Sequence, residues 1–281
     1  MTDQKITQNP DGYVSFNLTV PWKKLQTEYQ KHLLEHAKSV EIKGFRKGKA
    51  PLDLVERELD KGKLYAHVLE EVFPEIYLAH LKKHNLLPLI DPRLTTIKSQ
   101  NGSDWEFKVE IAVRPQVKLG AYQTKIKSAL KKHKLRPPKS KSSAKSPSTT
   151  NKTEEPKEDP RLKILFDTLL ETAELTVAEI LVEEETKSAL SRLIRQLEPL
   201  KISLTDYAKS ISKTQEELIK EYKTTALTNL KLEFVIDEII KELKPSVTEE
   251  EVSALKPQPD QKSYARYVLE KRKVIDKLLE L

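Results

Sequence analysis

Glycine runs out in this chain at position 120. All six glycines (Gly12, Gly44, Gly48, Gly62, Gly102 and Gly120) lie in the first 120 of 281 residues. Glycine enters φ > 0 turns without a steric penalty, so any hairpin-rich architecture belongs to the first part of the chain. The remainder is expected to be helical. Charge is just as uneven. Between Ile111 and Asn151 there is no Asp or Glu, while Arg and Lys supply 11 positive charges against a net +7 for the whole chain, so everything outside this stretch is net acidic. A basic balance of this kind favours an acidic partner, of which nucleic acid is the commonest.

The absences narrow the function. With 0 cysteines and 6 histidines, the residues needed for disulfide scaffolds, cysteine nucleophiles and thiolate metal sites are missing. No apolar run approaches the roughly 18 residues that cross a bilayer. The N-terminus has no basic-then-apolar leader pattern. A cytoplasmic location and no membrane partner are expected.

The first 119 residues read as α+β. Val14, Phe16, Leu18 and Val20 alternate with Tyr13, Ser15, Asn17 and Thr19, a period of two that predicts a strand with one buried face. Pro21 then suits a helix start. Trp22, Leu25, Tyr29, Leu33, Ala37 and Val40 trace a helical apolar face. A short helix after Pro51 and a longer one from Leu64 to Leu81 follow, the latter kinked or broken at Pro74. Arg93 to Ile97 and Trp105 to Val113 predict an antiparallel pair around the turn Gln100-Asn101-Gly102-Ser103.

Residues 120–160 are rich in Lys, Ser and Pro and offer little to bury, which predicts a flexible linker between two domains. Residues 161–281 read as an all-α domain of long helical arms. Thr176 with Glu179, Thr214 with Glu217, and Thr248 with Glu251 have capping-box spacing, and Ser203 with Asp206 a looser version. The longest helix is expected over Glu216 to Leu243, packed most deeply toward its C-terminal end.

No catalytic residue, cofactor or metal emerges. The H-x-x-E-H pattern from His32 to His36, echoed by His80 and His84, has no third ligand in recognisable context. Gly44 to Ala50 has three residues between its glycines, where a phosphate-binding Walker loop has four, and no Ser or Thr after Lys49. The same segment admits another reading: Phe45 flanked by Arg46, Lys47 and Lys49, between Gly44 and Gly48. Either it projects, seating the ring in an apolar niche while the cations meet phosphates or carboxylates, or it is a solvated turn whose Phe45 folds back onto the core. The residues alone favour neither.

At this loop the chain resembles the bacterial trigger factor family of ribosome-associated chaperones. The run Val40-Glu-Ile-Lys-Gly44-Phe45-Arg46-Lys47-Gly48-Lys49-Ala50-Pro51 is similar to the family's GFRxGKxP docking signature. The similarity continues through Leu18 to Pro21, Val68 to Pro74, Leu87 to Pro92 and Arg114 to Gly120. It is weaker over Leu169 to Glu185 and Leu230 to Glu251. The resemblance implies that residues 1–119 bind the ribosome, with Gly44, Phe45, Arg46, Lys47, Gly48 and Lys49 docking on the large subunit beside the exit tunnel, against a ribosomal protein and rRNA. It further implies ATP-independent shielding of unfolded nascent polypeptides by the helical domain, and pairing of free copies into a homodimer.

Two departures qualify it. Where the family inserts an FKBP-like prolyl isomerase domain, the segment from Tyr122 to Pro160 is far short of the roughly 100 residues such a domain needs, so no isomerase activity is expected. Only 29 residues follow Val252, which predicts a reduced second arm. Lys125, Lys127, Lys131, Lys132, Lys134 and Arg136 form either a plain spacer or a tether to RNA. A stand-alone RNA-binding protein acting through this basic stretch is the alternative function, and the lack of aromatics between Tyr122 and Phe166 limits it to backbone contacts.

Overall fold

A computed structural model of the chain describes residues 6–134 and 159–281. Two compact units divide between Arg114 and Pro115. In the first, strands β1 (Thr7–Gln8), β2 (Tyr13–Val20), β3 (Arg93–Lys98) and β4 (Trp105–Ala112) form an antiparallel sheet in the order β1-β2-β4-β3. The period of two in β2 buries Val14, Phe16, Leu18 and Val20, and their register partners on β4 include Ile111, Val109, Phe107 and Trp105. One face of the sheet is therefore apolar and must be covered. Helices α1 (Trp22–Ser39), α2 (Leu52–Glu58) and α3 (Lys61–Lys83) supply the cover, with Leu25, Tyr29 and Leu33 on α1 and Leu64, Val68, Val72 and Tyr77 on α3. Each such side chain contributes about 1.5–3 kcal/mol on burial.

Pro21 has no capping side chain, and the first amide of α1 instead donates to Asp104 Oδ1 at 2.8 Å, from the β3–β4 turn. Of the two expected outcomes at Pro74 the break does not occur: α3 runs unbroken through it. Pro74 and Glu70, whose carbonyl loses its i+4 donor, are both exposed, so water can satisfy that carbonyl.

Among the described residues the second unit is built of helices, α4 (Tyr122–Lys134), α5 (Pro160–Thr172), α6 (Glu179–Leu197), α7 (Leu204–Ser210), α8 (Gln215–Leu243), α9 (Glu249–Ala254) and α10 (Lys262–Leu279), with two short 3-10 turns and a single antiparallel bridge between Lys118 and Glu174. Its main core joins Tyr122, Ile126 and Leu130 of α4 to Leu165 and Leu169 of α5, Val235 and Ile239 of α8, and Val274 and Leu278 of α10. Burial in α8 does concentrate toward its C-terminal end, at Phe234, Val235, Ile236 and Ile239. A smaller core joins Leu193 and Leu197 of α6 to Ala208 and Leu218. The capping boxes at Thr214 and Thr248 both form, and the Ser203 hydroxyl accepts from the Asp206 amide. Thr176 is not a cap. Helix α6 starts three residues later, after Ala178, which is fully buried and anchors the start by packing.

The expected linker over 120–160 is divided. Its first part is α4, whose stripe at i, i+4 and i+8 is buried, so the lysines between those positions do not prevent packing. Because α4 and α5 belong to the same unit and pack together, residues 120–160 do not join two domains. The boundary lies before residue 120, at Arg114. Residues 135–158, with Arg136 among them, lie outside the described residues. No helix among the described residues is long and apolar enough to cross a membrane.

Candidate functional site

The loop after α1 is built from two consecutive four-residue turns. The Phe45 amide donates to the Ile42 carbonyl at 3.0 Å and the Lys49 amide to the Arg46 carbonyl at 2.9 Å. Each turn has glycine in its third position, Gly44 at φ +94° and Gly48 at φ +73°, where a turn of this hand needs positive φ. The four-residue spacing of the glycines therefore sets the turns end to end, with Phe45 closing the first and Arg46 opening the second. Ile42 and Ala50 pack against the core at the two ends. Everything from Lys43 to Lys49 is exposed.

Phe45 is 44% exposed, which decides between the two readings: the ring stands out from the core. Arg46, Lys47 and Lys49 form no ion pair with any described residue. The base of the loop is firm. A Cβ added to Gly48 would meet the Lys38 carbonyl oxygen at 3.2 Å, so the second turn lies close against the end of α1. Beyond Pro51, Val55 is fully buried and Glu56 accepts from the Tyr29 hydroxyl at 3.0 Å and pairs with Lys61 at 3.1 Å. The Lys61 hydrogen bond, then that from Tyr29, holds the Glu56 carboxyl below its usual range. Burial, with Glu56 beside it, pushes the Tyr29 hydroxyl upward. This network ties α1, α2 and α3 together beneath the loop.

The other expected residues separate. Lys125, Lys127, Lys131 and Lys132 are exposed on α4; Lys134 ends that helix. Among the histidines, His32 Nε2 lies 3.1 Å from Glu71, and His80 stacks on Phe16 at 4.2 Å, where burial lowers its pKa. No group of three metal-ligating side chains occurs among the described residues. The sequence analysis does not single out the apolar residues on either side of α7: Leu200 is 65% exposed, with Ile202 and Ile211 exposed nearby in sequence. The available signal was large aliphatics in a polar connection.

Two family models match the sequence: "Bacterial trigger factor protein (TF)" over residues 3–139, and "Bacterial trigger factor protein (TF) C-terminus" over residues 145–256. The chain belongs to the bacterial trigger factor family. The two matched regions leave no isomerase-sized segment between them. Among curated relatives, trigger factor of Caldanaerobacter subterraneus subsp. tengcongensis is 37% identical over 109 residues, 39% of this chain and 25% of that protein. Trigger factor of Mycobacterium leprae is 32% identical over 111 residues, 40% of this chain and 24% of that one. The chain thus spans about a quarter of the length of these relatives. A solved structure of the trigger factor chaperone, described for promiscuous substrate recognition in folding and assembly, aligns with TM-score 0.65 over 99% of both chains at 15% identity. That likeness establishes the fold: a small antiparallel sheet with helices, followed by a mostly helical region.

Proposed function

We propose that this chain is an ATP-independent chaperone of the bacterial cytoplasm that docks on the large ribosomal subunit through Gly44 to Lys49 and shields polypeptides leaving the exit tunnel. The observation that carries this reading is the loop: a protruding aromatic beside three cations that have no ion-pair partner among the described residues, on a base tied to three helices. Such a side-chain set suits a surface made of ribosomal protein and rRNA. Phe45 supplies apolar area, Arg46 a bidentate grip on phosphate or carboxylate, and Lys47 and Lys49 point charges. Leu200, Ile202 and Ile211 of the helical unit offer apolar surface to unfolded segments. Prolyl isomerase activity is not part of the proposal, and association of free copies as homodimers is. The stand-alone RNA-binding reading has no support from the family match.

The test is co-sedimentation with vacant and translating ribosomes, comparing wild type with F45A/R46A/K47A. Affinity is expected to fall about tenfold or more, because truncating a central aromatic and an arginine removes the residue types that dominate interfaces. Unchanged binding by a folded variant would remove the loop from the mechanism.

A further inference from the structure

We propose that the outer face of α4 is a binding surface for the phosphate backbone of RNA. The 13-residue helix carries five lysines and no acidic residue. Tyr122, Ile126 and Leu130 recur every four residues and are buried in the bundle core. At about 100° per residue, the stripe centres on Ile126, and Lys125, Lys127, Lys131 and Lys132 fall around the remaining face, all exposed. None of these four forms an ion pair with a described residue. Burying one side of the helix thus holds the four cations on a rigid support, so less ordering entropy is lost on binding than a flexible basic tail would lose.

The chemistry of the face selects among polyanions. A membrane surface calls for a free apolar stripe to enter the headgroup layer, and the stripe of α4 is already committed to the bundle. A protein partner calls for an apolar or aromatic anchor at the centre of its interface, and the outward residues are Lys, Gln123, Thr124 and Ser128, the exposed His133 falling at the helix end in line with the buried stripe. Base-specific RNA contact needs stacking platforms, which this face lacks. What remains is sequence-independent neutralisation of phosphates. The surface is separate from the Phe45 loop. Naming rRNA as its source rests on the ribosome reading, but affinity for RNA does not.

The experiment measures anisotropy of a fluorescein-labelled RNA hairpin with the full chain across a KCl series. Lys125, Lys127, Lys131 and Lys132 are changed together to Gln, or together to Arg, in the wild type and in the F45A/R46A/K47A background. Circular dichroism and melting confirm the fold. The Gln variant is expected to weaken binding and to make the log–log salt slope shallower by about 3, at roughly 0.7–0.9 per phosphate released. The same change is expected in the loop-variant background, so failure of the docking loop leaves this result standing. The Arg variant should bind as wild type does. An unchanged slope in the Gln variant would overturn the proposal. So would a loss that appears only when Arg136, Lys139, Lys141 and Lys145 are neutralised, or binding to phosphatidylglycerol vesicles as tight as to RNA and weakened equally by the Gln change.

Discussion

The loop from Gly44 to Lys49 and the helix from Tyr122 to Lys134 are both basic, and Arg46, Lys47 and Lys49 in the one and Lys125, Lys127, Lys131 and Lys132 in the other form no ion pair with a described residue, yet the two are shaped by opposite means. In the loop, two glycines at positive φ bend the backbone and the side chains are left over, exposed, with Phe45 among them. In the helix, three apolar side chains every fourth residue fix the backbone by packing, and the lysines take the side that remains. The difference extends to the whole units. The first turns its chain mainly on glycine, with Asn85 at φ +51° beside them; the second, which has no glycine after Gly120, ends helices on Lys201 at φ +56° and Lys244 at φ +42°. Left-handed backbone is thus present in the helical unit after all, carried by residues that pay about 1–2 kcal/mol for it. A basic segment takes its form from its glycines or its apolar residues, and lysine content alone indicates neither.

The contrast can be broken most forcefully at Ile126, which is fully buried in the bundle. Ile126→Ala is expected to cost about 2–5 kcal/mol through lost burial and a cavity. The loss should appear in the melting of the second unit and leave the sheet unit unaffected. A change below about 0.5 kcal/mol, read by denaturant titration, would mean that α4 is not held by its stripe. Gly48→Ala probes the loop side. Positive φ and the approach of Cβ to the Lys38 carbonyl at 3.2 Å predict a loss of about 1–2 kcal/mol in the first unit. Ribosome binding should weaken although no charge is altered, and full binding by a destabilised protein would separate loop shape from docking. The smallest effect has the opposite sign. Lys244→Gly relieves the left-handed residue after α8 and should stabilise the second unit by up to about 1 kcal/mol, measured as a small rise in its melting temperature.

Much of this molecule was legible locally. The alternation at Tyr13 to Val20, the boxes at Thr214 and Thr248, and the length of α8 are short-range patterns, and each appears where its spacing puts it. The misreadings are places where distant partners override a local pattern. Thr176 has cap spacing, but buried Ala178 starts α6. Composition around Tyr122 suggests a linker, but partners on α5, α8 and α10 make a helix of it. Pro74 left a break in α3 open, and its solvent-facing position lets the helix run on.

The candidate loop divides in the same way. Its residue types and the four-residue glycine spacing are properties of the sequence, because turn geometry depends on neighbours a few bonds away. Whether Phe45 stands out or folds inward was settled only by the tertiary structure, since that depends on the room left beside Ile42 and Ala50 once α1, α2 and α3 have packed. By itself the sequence determined the two kinds of architecture, the charge and the family. The packed fold decided which basic residues are presented rigidly and to which unit α4 belongs, because burial is a property of surfaces that meet only after the chain has closed on itself.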